Sequence, residues 1–135
     1  MTKRDLLMSL QRVYCRLKPS EHGIGVFAIR DIPVNTNPFI DCFDGGFSPF
    51  TPEELEGTNP SVMEMVKDFC PIQDGKYYLP RCGLKRIDQS FFVNHSKTPN
   101  MREEGEGIDF ITIREVKTGE ELTVDYDTYN DKGSI

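Results

Sequence analysis

The chain has 135 residues with 16 Lys or Arg and 22 Asp or Glu, so its formal net charge at pH 7 is −6. This acidic balance argues against a protein that binds nucleic acid directly, because such proteins usually present a basic face. It suits a basic polypeptide partner, since an acidic surface attracts cations. The length and the hydrophobic fraction of 37% predict one folded domain, 1–135, with its own core.

The sequence also bears on compartment and cysteine chemistry. No stretch approaches the roughly 18 apolar residues of a membrane span, and the apolar run near the N-terminus is too short for a signal peptide. We therefore expect a cytoplasmic or nuclear protein without a membrane segment. The four cysteines form no C-x-x-C pair and the two histidines are far apart, so we predict free thiols and no metal site.

Short elements are predicted in the first third of the chain. Leu6, Leu7 and Leu10 have helical spacing, which predicts a short amphipathic helix near the N-terminus. Strands follow over 13–20, 26–32 and 38–43, because each is a β-like run that ends at a Pro or Gly turn.

The middle of the chain changes character. Thr51-Pro52-Glu53-Glu54 has the pattern of a capping box with proline in the first helical position, and a second such box at Ser61 predicts a helix over 61–69. Strands are predicted again over 76–79, 109–116 and 121–126. The sequence thus predicts a mainly β fold with a helical insert (α+β), not the regular βαβ alternation of a doubly wound sheet.

One glycine motif, Gly23-Ile24-Gly25-Val26-Phe27-Ala28, matches the loose dinucleotide fingerprint. That fingerprint requires a helix after the glycines, whereas the residues that follow are β-like and Pro33 would stop a helix early. Two interpretations remain. The glycines form a turn into a strand, or they form a loop whose bare backbone lets a cofactor approach closely.

Two further segments carry polar or phenolic side chains. Asn94-His95-Ser96 follows the strand-like run Phe91-Phe92-Val93. A Ser–His nucleophile pair is disfavoured there, because adjacent strand residues point to opposite faces and no G-x-S-x-G elbow is present. A capped loop and a cofactor contact remain. Near the end, Tyr126 is either a residue at the rim of the core or a phenol at a functional site.

The three segments together, in this order, resemble the SET domain of protein-lysine methyltransferases. The glycine motif is similar to that family's first motif, and Phe92-Val93-Asn94-His95-Ser96 with Pro99-Asn100 is similar to its asparagine-histidine-serine motif. The block 119–126 is similar to its glycine-glutamate-glutamate-leucine-threonine block. The likeness covers about 16–129, with a helical insert at about 47–70, and is greatest to compact SET-only proteins of bacteria and viruses. It implies a β-clip of short strands with a threaded C-terminal segment, an exception to the usual unthreaded topology.

The resemblance also implies a function, the transfer of a methyl group from S-adenosyl-L-methionine to a protein lysine through a narrow channel. It assigns catalysis to Tyr126. The residues that it places against the cofactor are His22, Gly23, Ile24, Gly25, Asn94, His95 and Tyr126. The residues that it places along the lysine channel are Phe43, Phe92, Val124 and Tyr129.

Three departures from the family pattern bear on activity. Phe43 replaces a tyrosine of the channel, Lys97 and Thr98 stand where many members have a zinc-binding cysteine, and no cysteine follows Tyr126. A partner subunit such as a second copy in a homodimer, the insert or the substrate would then complete the channel. Val124 lies where an aromatic residue often influences the number of methyl groups added.

The expected substrate is a basic protein, a histone or another lysine-bearing protein. One alternative is a catalytically weak or inactive SET-like module that binds a basic peptide. Another is an interaction protein of the β-clip type without a cofactor.

Overall fold

The computed structural model of the protein describes residues 2–21, 23–40, 46–104 and 109–129. Two α-helices occur in these ranges, α1 at Lys3–Ser9 and α2 at Pro60–Phe69. The strands are β1 Cys15–Ser20, β2 Gly23–Ala28, β3 Phe47–Phe50, β4 Ile72–Gln73, β5 Lys76–Pro80, β6 Asn94–His95, β7 Met101–Glu104, β8 Asp109–Thr112 and β9 Glu121–Val124. Short 3₁₀ helices occupy Leu10–Arg12, Leu84–Arg86, Gln89–Phe92 and Tyr126–Thr128. The predicted mainly β fold with a helical insert is confirmed.

The central sheet has the strand order β1-β2-β9-β6. β1 and β2 form an antiparallel hairpin in which Ser20 pairs with Gly23. β2 pairs antiparallel with β9, and β9 pairs parallel with β6. The last strand is therefore inserted between the first hairpin and a strand from the middle of the chain, which brings three distant segments side by side.

The core lies against this sheet, and its most buried members come from the same strands. Val26 of β2 and Leu122 and Val124 of β9 are almost fully buried, and Ile32 and Val116 join them through an isolated bridge between their backbones. Alternation along β9 points Leu122 and Val124 into the core and Glu121 and Thr123 to the other face. Buried neighbours in the sequence thus hold Glu121 and Thr123 in place on the other face of β9.

The polar core residue Asn100 fastens β9 from the side. It is 3% exposed, its Nδ2 donates to the carbonyl of Glu121 at 2.8 Å, and its Oδ1 accepts from the Thr123 amide at 2.9 Å. Both ends of the side-chain amide are satisfied, so burying it does not leave a polar group without a partner. The Asn100 side chain thus makes the two backbone hydrogen bonds to β9 that a residue of a neighbouring strand would otherwise make.

A helical insert packs beside the central sheet. β3, β5 and β4 form a three-stranded antiparallel sheet in that order, with α2 preceding β4. α2 packs its Phe69 ring against Phe92 at a centroid distance of 5.2 Å, and Phe47 of β3 lies 6.1 Å from Phe91. Aromatic pairs therefore join the insert to the 3₁₀ segment that leads into β6.

The helix of the insert is as predicted in type, but it begins differently. It starts at Pro60, and the side chain of Asn59 caps it by accepting from the Ser61 amide at 2.9 Å. The first capping box also forms its hydrogen bonds, with Glu54 N to Thr51 Oγ1 at 3.2 Å and Thr51 N to Glu54 Oε1 at 2.9 Å. This first box is followed by a turn and not by a helix. Gly57, at φ 86°, and then Asn59-Pro60 end the segment before a helix can continue.

Other predicted elements are shorter or different. Residues 38–40 form a turn rather than the start of a strand, and 41–43 lie outside the described residues. The run that contains Phe91 and Phe92 is a 3₁₀ helix, not a strand, because Asp88 accepts from the Ser90 amide at 2.9 Å and starts the turn. The strands predicted over 26–32 and 109–116 end at Ala28 and Thr112.

Three cysteines can be placed in the fold. Cys15 and Cys70 are buried free thiols and Cys82 is a partly buried one, in agreement with the prediction, while Cys42 lies outside the described residues. Burial raises the pKa of the Cys70 thiol to about 11. Neither of the two described α-helices has the length and apolar character that crossing a bilayer demands.

We predict that Asn100→Ala lowers the free energy of unfolding by about 2–4 kcal/mol, because it leaves two backbone groups of β9 without partners in the core. The matched control is Asn59→Ala, which removes only the cap of α2 at a cost of about 1 kcal/mol. Urea unfolding of both variants measures the difference. Equal losses would show that Asn100 does not hold β9.

Candidate functional site

The site is built where β6 and β9 run parallel. Asn94 is opposite Thr123 and His95 is opposite Val124, and the amide of Ser96 donates to the Val124 carbonyl at 3.0 Å. Because a parallel pair aligns equivalent ends of the strands, the residues after β6 and those after β9 leave the sheet together. The Asn-His-Ser motif and the tyrosine-bearing segment therefore meet, although about thirty residues separate them in sequence.

Tyr126 is held at this junction by both its backbone and its side chain. Its hydroxyl donates to the carbonyl of Val93, the residue before Asn94, and its backbone amide donates to His95 Nδ1 at 3.0 Å. The rings of His95 and Tyr126 are 5.3 Å apart. The phenol thus lies beside the Asn-His-Ser motif and not in bulk water.

The hydrogen bond from Tyr126 defines the state of His95. Nδ1 accepts a hydrogen bond from the Tyr126 amide, so its lone pair is engaged and Nε2 is the ring nitrogen that can carry a proton. Asp125 Oδ1 lies 3.7 Å from the same Nδ1. Since Nδ1 bears no proton, we assign this approach to the shape of the turn and not to an ion pair.

The environment keeps the Tyr126 phenol neutral. Burial raises its pKa above the ordinary value of 10.0, and the negative charge of Glu121 raises it further. A neutral phenol can donate a hydrogen bond, as it does to Val93, and it still has lone pairs to accept one. This is the form that can orient an amine or a polarised methyl group.

Asn94 joins the glycine strand to β9 through its side-chain amide. Nδ2 donates to Glu121 Oε2 at 2.7 Å and to the Ile24 carbonyl at 3.1 Å, and it lies 3.3 Å from Ser20 Oγ. The carboxylate and the carbonyl only accept, so the nitrogen must face them. Among the described residues no donor contacts Oδ1, which leaves that oxygen available to a ligand.

The two glycines of β2 are required for different reasons. Gly23 has φ 99°, a backbone conformation that favours glycine. At Gly25 the reason is space, because a Cβ there would lie 2.3 Å from Glu121 Oε2 and 2.9 Å from its Cδ. The carboxylate of Glu121 thus lies where any larger residue at position 25 would place its side chain.

Aromatic rings surround the opposite side of Tyr126. Tyr129 lies 6.1 Å from Tyr126 and 5.9 Å from Phe110, and its carbonyl accepts from Gln73 Nε2 at 2.7 Å. Burial above all raises the pKa of the Tyr129 phenol, so it too stays neutral. Phe92 also packs against the core.

The structure brings together most of the residues that the sequence predicts for the site. Gly23, Ile24, Gly25, Asn94, His95 and Tyr126 lie at one junction, and Tyr129 and Phe92 border it. Val124 is 1% exposed and belongs to the core, and its predicted place on the channel stays a prediction. His22 and Phe43 lie outside the described residues.

Lys97 lies at the edge of the site and pairs with two carboxylates. Its ammonium contacts Asp127 directly and lies 3.7 Å from Asp125 Oδ1. The hydrogen bond with Asp127, and then the charges of both carboxylates, raise the pKa of Lys97. His95, Asp125 and Asp127 offer atoms within 4.8 Å of one another. The Lys97 ammonium already contacts the two carboxylates and the Tyr126 amide donates to His95 Nδ1, so we assign no metal to this cluster.

Two residues of the site were not identified from the sequence. Asn100 and Glu121 belong to the quoted motifs, yet neither was assigned a role. Their contacts join residues that are 21 to 27 positions apart. A signal was present for Glu121, because it precedes the apolar Leu122 in a strand that alternates inward and outward, which places its carboxylate on the face away from the core.

Comparisons with known proteins agree with this architecture. The family model described as SET domain matches residues 23–127. Among solved structures, the crystal structure of a candidate histone methyltransferase from Plasmodium falciparum is similar, with a TM-score of 0.53 and 17% identity. The match covers 84% of this chain and 92% of that chain, and at this identity it shows the fold alone. No curated protein matches the sequence.

We expect Gly25→Ala to destabilise the protein by about 1 kcal/mol, because the new methyl group moves the Glu121 carboxylate away from its hydrogen bond with Asn94. Adding Glu121→Ala should recover part of this loss, since it removes the overlapping atoms. A double-mutant cycle on the free energies of unfolding measures the coupling. Strictly additive losses would mean that the two residues do not compete for this space.

A second expectation concerns pH. The folded state raises the pKa of Tyr126, so its contribution to stability is complete below the unfolded value near pH 10 and is lost as pH rises through the folded value. The difference in tyrosinate absorbance between the wild type and Tyr126→Phe gives the folded pKa. In Glu121→Gln, which lacks the nearby charge, that pKa should fall. An unchanged value would show that the charge does not act on Tyr126.

Proposed function

The chain belongs to the SET-domain family, and from that premise we propose that it is a protein-lysine N-methyltransferase. The proposed donor is S-adenosyl-L-methionine and the proposed acceptor is a lysine side chain of a basic protein. The observation that carries the proposal is the attachment of Tyr126 to the Asn94-His95 segment through the Val93 carbonyl and His95 Nδ1. It supports a single site in which one segment binds the donor and the other orients the acceptor.

The polar groups at the junction fit the amino-acid end of this donor. Asn94 keeps its Oδ1 available in the described part of the chain, and an amide oxygen accepts from an ammonium group. Gly23 presents backbone without a side chain at the strand start, which allows close approach. When bound, the donor supplies an electrophilic methyl group on a sulfonium.

The residues of the chain contribute orientation more than proton transfer. A lysine that has lost its proton to solvent uses its nitrogen lone pair to form the N–CH₃ bond while the S–CH₃ bond breaks and its electron pair stays on sulfur. Tyr126, fixed at both ends, limits the directions from which an amine reaches the site. The rings of Tyr126 and Tyr129 suit the apolar stem and cationic head of a lysine.

The charge of the chain supports a basic substrate. The net charge is −6, and the turn at 51–57 carries exposed Glu53, Glu54 and Glu56. These carboxylates attract cationic segments and raise the rate of encounter, more strongly at low salt. A histone or another lysine-rich protein has this character.

A rival function is a SET-like module that binds a basic peptide without methylating it. Both functions use the same acidic surface, and they differ in whether a methyl group is transferred. Phe43 lacks the hydroxyl of the tyrosine that it replaces, which favours the binding module, while Tyr126 and Asn94 favour catalysis.

We predict that the protein transfers label from radiolabelled S-adenosyl-L-methionine to one or more proteins in a mixture of histones and ribosomal proteins. Tyr126→Phe should lower turnover roughly a hundredfold while changing donor affinity much less, because the lost hydroxyl acts on the reacting groups. Asn94→Ala should instead weaken donor binding, which calorimetry measures.

The matched control is Tyr14→Phe, which changes a ring packed on Arg30 away from the junction and should leave label transfer near the wild-type rate. Donor binding without any transfer would favour the binding module. The absence of both donor binding and label transfer would overturn the proposal.

A further inference from the structure

The carboxylate of Glu121 lies between three segments of the site. Its Oε2 accepts from Asn94 Nδ2 at 2.7 Å on β6, and it lies against the Cα of Gly25 on β2. Glu121 begins β9, five residues before Tyr126. No other described side chain hydrogen-bonds to Asn94 at so short a distance.

The backbone of Glu121 is fixed, so its carboxylate has a defined position. Asn100 Nδ2 donates to the Glu121 carbonyl at 2.8 Å, and Phe27 of β2 is its partner in the sheet. The absent side chain at Gly25 provides the space that the carboxylate fills. A charged acceptor held in this way forms a stronger hydrogen bond than a neutral one.

This hydrogen bond decides which way the Asn94 amide points. An asparagine amide can rotate by half a turn at little steric cost, because its oxygen and nitrogen are similar in size. Rotation here would place Oδ1 against the Glu121 carboxylate and the Ile24 carbonyl, and acceptors would then face acceptors. Glu121 therefore favours the orientation in which Nδ2 faces the protein and Oδ1 faces away from it.

We propose that Glu121 is a positioning residue that acts through Asn94, holding the Oδ1 atom of that side chain toward the ammonium group of the methyl donor. The inference rests on the proposed function, because it assigns that oxygen to the donor. Glu121 itself does not contact the reacting atoms in this proposal. Its role is to prevent the Asn94 amide from rotating.

The neighbouring residue Glu120 provides a matched control. It has the same charge and lies next in sequence, but its carboxylate faces outward. It accepts from Arg114 Nη2 at 2.9 Å and from the Lys117 amide at 2.8 Å. Comparing the same substitution at positions 120 and 121 thus distinguishes a specific effect on the site from the effect of losing one acidic charge.

The experiment measures calorimetric affinity for S-adenosyl-L-methionine in Glu121→Met, Glu121→Gln and Glu120→Met. Glu121→Met keeps the side-chain length but removes the acceptor, and we expect the affinity to fall about tenfold. Glu121→Gln keeps an acceptor oxygen for Asn94 Nδ2 and should stay within about threefold of the wild type. Glu120→Met should not change the affinity measurably.

A double-mutant cycle tests whether the effect passes through Asn94. In the Asn94→Ala background, Glu121→Met should cause no further loss, because the amide that it orients is gone. An equal tenfold loss in both backgrounds would overturn the proposal and indicate a direct effect of Glu121. Thermal melting of each variant identifies unfolding, and if Glu121→Met unfolds, the Asn94 side-chain NMR signals of Glu121→Gln provide the decision.

A second measurement does not depend on methyl transfer. The Asn94 side-chain NH₂ signals in an NMR spectrum, assigned by their loss in Asn94→Ala, should shift in Glu121→Gln and not in Glu120→Met. If the wild type binds no donor, the proposed function fails and these signals still decide whether Glu121 holds the amide. Signals that are unchanged in Glu121→Gln would overturn the positioning role even when donor binding is normal.

Discussion

The parallel contact between β6 and β9 is the constraint on which the rest of the structure depends. It consists of two residue pairs, extended by the hydrogen bond from Ser96 to Val124 and by the two hydrogen bonds of Tyr126. A parallel pair this short would not be stable alone, because few hydrogen bonds offset the ordering of a long connection. It persists here because β9 is also paired with β2 and fastened by Asn100.

Most polar groups of the candidate site have a partner with matching hydrogen-bonding character. Asn94 donates to acceptors, His95 accepts from an amide, and the Tyr126 hydroxyl meets a carbonyl. The buried Thr112 follows the same rule, donating to the Pro33 carbonyl at 2.7 Å and accepting from the Thr36 amide at 2.9 Å. Such a network favours one arrangement of its members, since a half-turn of the Asn94 amide or of the His95 ring breaks the hydrogen bonds that each makes.

Local patterns predicted the elements that local forces determine. The helix of the insert was identified because its start signals and its hydrophobic spacing agree, and the fold class followed from the short β-like runs. The capping box at Thr51 starts a turn and not a helix, because its hydrogen bonds form equally well in a turn. The 3₁₀ segment before β6 was missed because apolar residues such as Phe91 and Phe92 suit a strand as well, and Asp88 decides between them.

The site was predictable in its members but not in its internal contacts. The motifs named Asn94 and Tyr126, because their order along the chain resembles a family pattern. They could not show that Gly25 is small on account of Glu121, or that Asn100 replaces a strand neighbour. Those facts are distances between remote residues, and periodicity within a segment carries no information about them.

Charge and burial at the junction impose opposite demands on the proposed reaction, which would consume a neutral amine. Carboxylates attract a cationic donor and a protonated lysine, yet they also stabilise the ammonium form, which has no lone pair to react. The structure reduces this conflict by engaging Glu121 with the Asn94 amide and by pairing Lys97 with Asp125 and Asp127. The rings packed beside the phenol are those of His95 and Tyr129, and a half-buried aromatic surrounding would favour the uncharged amine. The same burial that raises the pKa of Tyr126 would lower that of an entering lysine.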